Sequence, residues 1–127
     1  MRNAIRTALK TSNPTLGVHP LSATSSSTPK PYVVVKLGEE HQAGISVGFV
    51  QSIYLWLYVD AGDLDALDAL KAAVLSTLHG VELTTLSGIT FELTFRGTIG
   101  DEFFDNDWKA MALGLNFQSS LIHEGRN

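Results

Sequence analysis

The stretch FVQSIYLWLYVDAGDLDALDALKAAVLSTLHG, residues 49–80, decides the fold because its apolar period changes halfway along. Strict alternation from Phe49 to Val59 predicts a β-strand. One side of this strand carries Phe49, Gln51, Ile53, Leu55, Leu57 and Val59, and the other carries Val50, Ser52, Tyr54, Trp56 and Tyr58. The aliphatic side is expected to face the core, since successive strand side chains point to opposite faces of a sheet.

The second half of the stretch, Asp63 to His79, predicts an amphipathic helix. Asp60 or Asp63 is expected to cap its N-terminus, and Gly80 to end it. Its apolar stripe comprises Leu64, Leu67, Leu70, Val74, Leu75 and Leu78. Lys71 falls within that stripe, where it either snorkels past the leucines to water or marks a face that a partner buries, and we favour snorkelling.

Weaker patterns lie on both sides of this stretch. Residues 1–11 predict a short helix, which Ser12, Asn13 and Pro14 end. Strands are predicted at Tyr32–Leu37, Val81–Leu86, Ile89–Arg96 and Trp108–Ser119, the second of them weak. Three of the predicted strands have one apolar face each, as a sheet covered on one side requires.

Three polar or glycine-rich segments are expected to be loops, at residues 18–31, 38–48 and 97–107. The first contains the run SATSSSTPKP, the second has three glycines and the third is acidic. Residues 120–127 are expected to form a polar tail. Loops this long within a compact domain usually carry function or are ordered by a neighbour.

Together these elements predict one α+β domain over residues 1–127. We expect a mainly antiparallel sheet of four to five strands with two helices packed on one face. A chain of 127 residues with 44% hydrophobic content can bury a core without disulfides or metals.

Composition excludes several classes of protein. The formal net charge is −4, whereas dedicated nucleic-acid binders carry a basic stripe. Arg2, Arg6 and Lys10 are spaced along one side of the first helix, and a solvated helix face is the favoured interpretation. Cysteine is absent, which excludes thiol nucleophiles and cysteine-based zinc sites. The N-terminus lacks the apolar run of a signal peptide, and Ile53–Val59 is too short to span a bilayer, so we expect a cytoplasmic origin and no membrane contact.

No arrangement of residues predicts catalysis or a cofactor. His19, His41, His79 and His123 are far apart in sequence and lack metal-ligand spacing. No nucleophile elbow or phosphate-binding glycine motif is present, so we expect no enzymatic activity. A divalent cation site remains an open alternative at four acidic residues, Asp101, Glu102, Asp105 and Asp107. A solvated or partner-facing loop is favoured, because the EF-hand glycine and terminal glutamate are missing.

The aromatic side of the strand at residues 49–59 is more informative. Tyr54, Trp56 and Tyr58 lie on the face that two helices on the other side leave bare, and Trp108 is predicted in the same phase. Tyrosine and tryptophan are enriched in protein interfaces. We therefore expect this face to be a subunit interface rather than a surface buried within the chain.

The order of these patterns resembles the tail terminator, or tail completion, proteins of long-tailed bacteriophages. The resemblance covers Pro31 to Gln118 and consists of the strand PYVVVKLGEE, the strand IYLWLYVDAGD, the helix DALDALKAAVLSTLHG and, after an acidic loop, the strand DNDWKAMALGLNF. The serine-rich stretch Ser22–Thr28 and the long loop 97–107 depart from the family pattern and are interpreted as local insertions.

The resemblance implies a ring, typically a hexamer, on the head-proximal end of the tail tube. Such a ring stops tube polymerisation and joins the tail to the head connector, while DNA passes through its lumen without specific binding. It implies partners of three kinds, sister copies, the tube protein and the connector protein, in a virion assembled in the host cytoplasm. It also implies no enzymatic activity and no cofactor.

Eleven residues are the candidates for contacts with neighbouring subunits or with the tube. They lie in the predicted loops 38–48 and 97–107 and on the aromatic face of the sheet. They are Glu39, Glu40, His41, Tyr54, Trp56, Tyr58, Asp101, Glu102, Phe103, Phe104 and Trp108. Two alternatives stay open. One is another connector, neck or tail-tube component; the other, less favoured, is a small enzyme or ligand-binding module, which would need polar groups that converge in a pocket.

Overall fold

The computed structural model describes residues 1–20, 28–44, 48–106, 109–120 and 122, with the backbone alone for residues 20 and 41–44. These residues form two helices, α1 (Arg2–Ser12) and α2 (Leu64–Leu78). They also form six strands, β1 (Gly17–Pro20), β2 (Tyr32–Gly44), β3 (Gly48–Asp60), β4 (Glu82–Thr84), β5 (Thr90–Asp105) and β6 (Ala110–Ser119). Neither described helix is long and apolar enough to cross a bilayer.

Helix α2 begins and ends at the positions its sequence predicts. The Asp63 carboxylate accepts a hydrogen bond of 3.0 Å from the Ala66 amide, so Asp63 rather than Asp60 caps the helix. At the other end the His79 amide donates to the Leu75 carbonyl, and Gly80 follows with φ +72°. That left-handed backbone favours glycine, which explains the stop.

The strands form one sheet in the order β1-β2-β3-β6-β5-β4. The pairs β2–β3, β3–β6, β5–β6 and β4–β5 are antiparallel, whereas β1 and β2 run parallel. Strand β3 is central, with Leu57 opposite Val33 of β2 and Leu113 of β6. The register therefore places the aliphatic sides of the three strands on one face of the sheet.

Both helices pack on that face. Ile53, Leu55, Leu57 and Val59 of β3 are at most 1% exposed and belong to one hydrophobic cluster with the buried side chains of α1 and α2. Burying an aliphatic side chain of this size stabilises the fold by about 1.5–3 kcal/mol. Lys71 of α2 is half-buried, as a snorkelling side chain would be.

The expected number of strands is too low. The α+β class and the two helices are confirmed, but the sheet has six strands rather than four to five, and one of its pairs is parallel. The missed strand is β1, within residues expected to be a loop. Its four residues, GVHP, are too few to show alternation. It lies at the edge of the sheet, where short strands and proline are tolerated.

Two further segments expected to be loops are largely strand. Strand β2 continues to Gly44 and β3 begins at Gly48, so residues 38–44 and 48 extend a long hairpin instead of forming a loop. Strand β5 likewise continues to Asp105 through residues 97–105, here called the β5 arm. Register shifts in both hairpins interrupt the alternation that would have revealed them. In the arm, Gly97 and Gly100 have φ +130° and +68°, conformations that suit glycine.

Several segments with sequence predictions lie wholly or partly outside the described residues. The serine-rich stretch lies outside them at residues 21–27, as do Asp107, Trp108 and residues 121 and 123–127. Strand β6 begins at Ala110 rather than at the predicted Trp108. Within the predicted tail, Ile122 is 3% exposed and pairs with Phe49, so this part of the tail is packed.

Candidate assembly surfaces

The side of the sheet opposite the helices, here called the outer face, is centred on β3. Its Tyr54, Trp56 and Tyr58 are half-buried, whereas Leu55 and Leu57 between them are fully buried. The alternation predicted from the sequence is therefore confirmed, and the three aromatic side chains lie where no helix covers them.

Two of these rings lie against glycines of neighbouring strands. A methyl group at Gly114 of β6 would lie 2.6 Å from the Trp56 ring, and one at Gly38 of β2 would overlap the Tyr54 ring. Because real carbon atoms never approach so closely, both positions require the absence of a side chain. The two rings consequently lie over the backbone of the neighbouring strands and form an aromatic layer close to the sheet.

The third ring, Tyr58, stacks on Tyr32 of β2 with centroids 4.8 Å apart and planes 13° apart. Tyr32 is fully buried, and its hydroxyl has no hydrogen-bond partner among the described residues. Burial, followed by the charges of Tyr58 and Asp105, raises the pKa of Tyr32 to about 12. Burial also raises the pKa of Tyr58, with a smaller effect of the Asp105 charge.

The β5 arm extends the outer face with exposed acidic and aromatic side chains. Asp101 and Glu102 are exposed, and Phe103 and Phe104 are 41% and 48% exposed. Phe103 contacts Trp56 edge-to-face, with ring centroids 6.4 Å apart. The structure therefore brings Phe103 of the arm next to Trp56 of β3, two of the predicted candidates.

The acidic candidates of the β2–β3 hairpin lie elsewhere. Glu39 and Glu40 are exposed, and Glu40 pairs with Gln51 near the start of β3. The β5 arm reaches the sheet near Tyr58, about 23 Å further along the same strand. The candidates thus form two separate groups at opposite ends of the sheet. Trp108 and the side chain of His41 lie outside the described residues.

The hydrogen bonds of Gln51 explain why this polar residue occupies the aliphatic side of β3. It is 4% exposed, and its side-chain amide donates to the Gly38 carbonyl at 2.8 Å and to the Ser52 carbonyl at 3.0 Å. Its backbone amide donates to the Ser119 hydroxyl at 2.8 Å. These bonds fix the base of the β2–β3 hairpin against β6, so the acidic pair projects from an anchored support.

Sequence reasoning missed the contact made by His79. Its Nδ1 accepts a 3.0 Å hydrogen bond from the Phe95 amide, and the next amide, that of Gly80, donates to the Leu93 carbonyl at 2.8 Å. The end of α2 thereby covers the edge of β5 just before the arm begins. No sequence signal marks this contact, since it depends on where the helix ends relative to the strand.

The outer face also contains a shallow hollow of about 460 Å³, lined by Lys36, Tyr54, Trp56, Thr98, Ile99 and Asn116. This lining contains no carboxylate or imidazole, the usual general acids and bases. Within the described part of the chain no three His, Asp or Glu side chains come close enough to hold a metal ion. The arrangement offers stacking, apolar contact and hydrogen bonds, which suit a polypeptide partner.

Comparison with known proteins shows a shared fold. No family model matches the chain, and no curated protein matches it in sequence. Among solved structures, a chain of the structure described as "Virion of native gene transfer agent (GTA) particle" has a TM-score of 0.69 and 20% identity. The two chains share a fold. The likeness covers 96% of this chain and 94% of the other, so nearly the whole α+β arrangement is common to both.

Proposed function

We propose that this protein is a structural subunit of a phage-like virion and, more specifically, a tail terminator. In this role it forms a ring, typically a hexamer, on the head-proximal end of the tail tube, ends tube growth and joins the tail to the head connector. The observation that carries the proposal is the near full-length likeness to a chain of a gene transfer agent virion.

The surfaces of the fold support a role in assembly. The outer face exposes a flat aromatic layer, and the β5 arm presents two half-exposed phenylalanines beside two carboxylates. Aromatic side chains of this kind are the usual anchors of protein interfaces. A closed ring needs two different surfaces on each subunit, one for each neighbour. An open sheet face and two hairpins at opposite ends of the sheet supply them.

The charge of the chain suits a lumen through which DNA slides. The formal net charge is −4. Cationic linings release counterions and bind phosphates tightly, whereas an acidic subunit does not retain DNA. The proposal includes no enzymatic activity and no cofactor, since the outer face is suited to contact rather than to proton transfer.

The test is polymerisation of tail-tube subunits in the presence of the purified protein, followed by electron microscopy. We expect a ring at one end of each tube and shorter tubes as the protein concentration rises. Alanine replacement of Glu39, Glu40, Asp101 and Glu102 together should impair capping. Bare tube ends with unchanged lengths would contradict the tail terminator role.

The same virion likeness is compatible with another neck, connector or tail-tube subunit. The imaging experiment separates these roles, because a tube component would appear along the whole tube and a connector would bind the head vertex. Particles that lack the protein provide a second distinction. A missing terminator leaves overlong tails, whereas a missing connector leaves unjoined heads.

A further inference from the structure

A groove with a basic rim lies between α1 and β1. Arg2, Asn3 and Arg6 of the helix form one side, and Val18, His19 and Val35 form the other, around a volume of about 250 Å³. Arg2 and Arg6 are exposed and lie one helical turn apart, on the same side of α1. The groove therefore combines an apolar floor with two guanidinium groups, in a chain whose net charge is negative.

The arginines are available for a partner. Lys10, the third basic residue of α1, donates to the Leu16 carbonyl at 3.1 Å and so serves the connection to β1 instead. Arg2 and Arg6 form no ion pair within the part of the chain that the structure describes. Guanidinium groups bind carboxylates through paired hydrogen bonds, so a suitable ligand for this rim is acidic.

The β5 arm has the complementary chemistry. Asp101 and Glu102 supply two exposed carboxylates, and Phe104, 48% exposed, supplies an apolar side chain of a size that the groove can take. Strand β4 pairs only with Thr90–Glu92 of β5, so no described strand lies along the outer edge of the arm. The arm is therefore accessible both from its edge and through its side chains.

The groove and the arm cannot meet within one chain. The groove is bounded by α1 and by Val18 and Val35, which belong to the core on the helix-covered face, whereas Phe103 of the arm contacts Trp56 on the outer face. A contact between them must join two copies and must use a different surface on each. Such heterologous contacts produce rings when the rotation closes.

We propose that the acidic, phenylalanine-bearing β5 arm of one copy binds the arginine-rimmed α1–β1 groove of the next copy. This inference rests on the proposed ring and specifies the contact that closes it. Asp101 and Glu102 pair with Arg2 and Arg6 while Phe104 covers the apolar floor. Because part of the attraction is electrostatic, salt weakens it.

Charge reversal tests this contact in the full chain. The groove variant is Arg2→Glu with Arg6→Glu, and the arm variant is Asp101→Arg with Glu102→Arg. The matched control, Asp65→Lys with Asp68→Lys, reverses two exposed carboxylates of α2, outside both surfaces. Sedimentation velocity over a concentration series should show self-association weakened at least about tenfold in the groove and arm variants and unchanged in the control. Circular dichroism checks that all variants remain folded.

Mixing the two variants gives the most specific result. Each variant alone opposes like charges at its contacts, whereas in an equal mixture the acidic groove of one meets the basic arm of the other. Alternating copies can close any ring with an even number of subunits. Native mass spectrometry should therefore detect assemblies that contain both variants in equal numbers, and the fourfold variant should also regain association.

The possible outcomes separate this contact from the proposed function. Reversal variants that assemble and cap tubes like wild type would overturn the contact and leave the terminator role intact. A groove variant that self-associates normally but no longer binds tubes would assign the groove to a different protein and overturn the contact between copies. A wild-type chain that stays monomeric at all concentrations and on tubes would overturn both.

Discussion

The two faces of strand β3 differ in how far their side chains are buried. On the inner face, Leu55 and Leu57 are fully excluded from solvent by the helices. On the outer face, Tyr54 and Trp56 remain half-buried, and each ring lies against a glycine of a neighbouring strand. The comparison teaches that one alternating strand can bury one face for stability and leave the other open to solvent, and we propose that the open face serves assembly.

The largest expected effect is at the inner face. Leu55→Ala should lower the free energy of unfolding by about 2–5 kcal/mol, since it leaves a cavity where the side chain was fully buried. Urea denaturation followed by circular dichroism measures this loss. A loss no greater than that of Trp56→Ala would remove the distinction between the two faces.

The next effect probes how the outer aromatic layer is seated. Gly114→Ala should cost about 1–3 kcal/mol, because the added methyl would lie 2.6 Å from the Trp56 ring. Combining it with Trp56→Ala removes the clash, so the double variant should be more stable than the sum of the two single losses predicts. Simple additivity in urea denaturation would show that the ring does not lie over this glycine.

A smaller loss of stability but a large loss of assembly is expected for Trp56→Ala. The side chain is only partly buried in the folded chain, so its loss should lower the free energy of unfolding by only about 1–2 kcal/mol. An interface anchor contributes at least about 2 kcal/mol to association, which corresponds to roughly thirtyfold in the dissociation constant. Sedimentation analysis of the folded variant measures the second effect. If the variant associates as tightly as wild type, the Trp56 side chain is not part of the interface.

The smallest effect concerns Tyr32, the one fully buried aromatic side chain of the stack. Tyr32→Phe should leave stability unchanged or raise it by up to about 1 kcal/mol, because its hydroxyl has no hydrogen-bond partner among the described residues. A clear loss of stability in thermal or urea denaturation would reveal a partner for that hydroxyl.

The pH dependence of the same variant has a defined sign. The pKa of Tyr32 is about 12 in the folded chain and near 10 in the unfolded chain. Between pH 10 and 12 the unfolded chain releases this proton while the folded chain keeps it, so the stability present below pH 10 falls as pH rises. Wild type should lose more stability than Tyr32→Phe over this range. Parallel profiles for the two proteins would contradict the raised pKa.

The sequence predicts the two faces of β3 and the helix that follows because their patterns are local. Strict alternation separates Trp56 from Leu57, and one capping carboxylate, Asp63, marks the start of α2. How Trp56 lies could not be predicted, since it depends on Gly114, which is distant in sequence and adjacent only once β3 and β6 pair.

Strand β1 and the β5 arm were not predicted because neither shows a regular alternation in the sequence. Strand β1 is too short to show a period, and its pairing with β2 is created by the fold. The β5 arm contains register shifts between Phe95 and Gly97 and between Ile99 and Phe103, which erase the alternation on which strand prediction depends. The sequence predicts the acidic residues of the arm as interface candidates, but the groove proposed to receive them appears only when α1 packs beside β1.

Hydroxyl-radical footprinting of Trp56 and Leu57, on the free chain and on the chain bound to tail-tube ends, tests the central claim most directly. Assembly should lower the modification rate of Trp56 several-fold, while Leu57, buried in both states, should be modified slowly and equally. An unchanged rate for Trp56 in the bound chain would contradict the claim that other protein subunits cover the outer face.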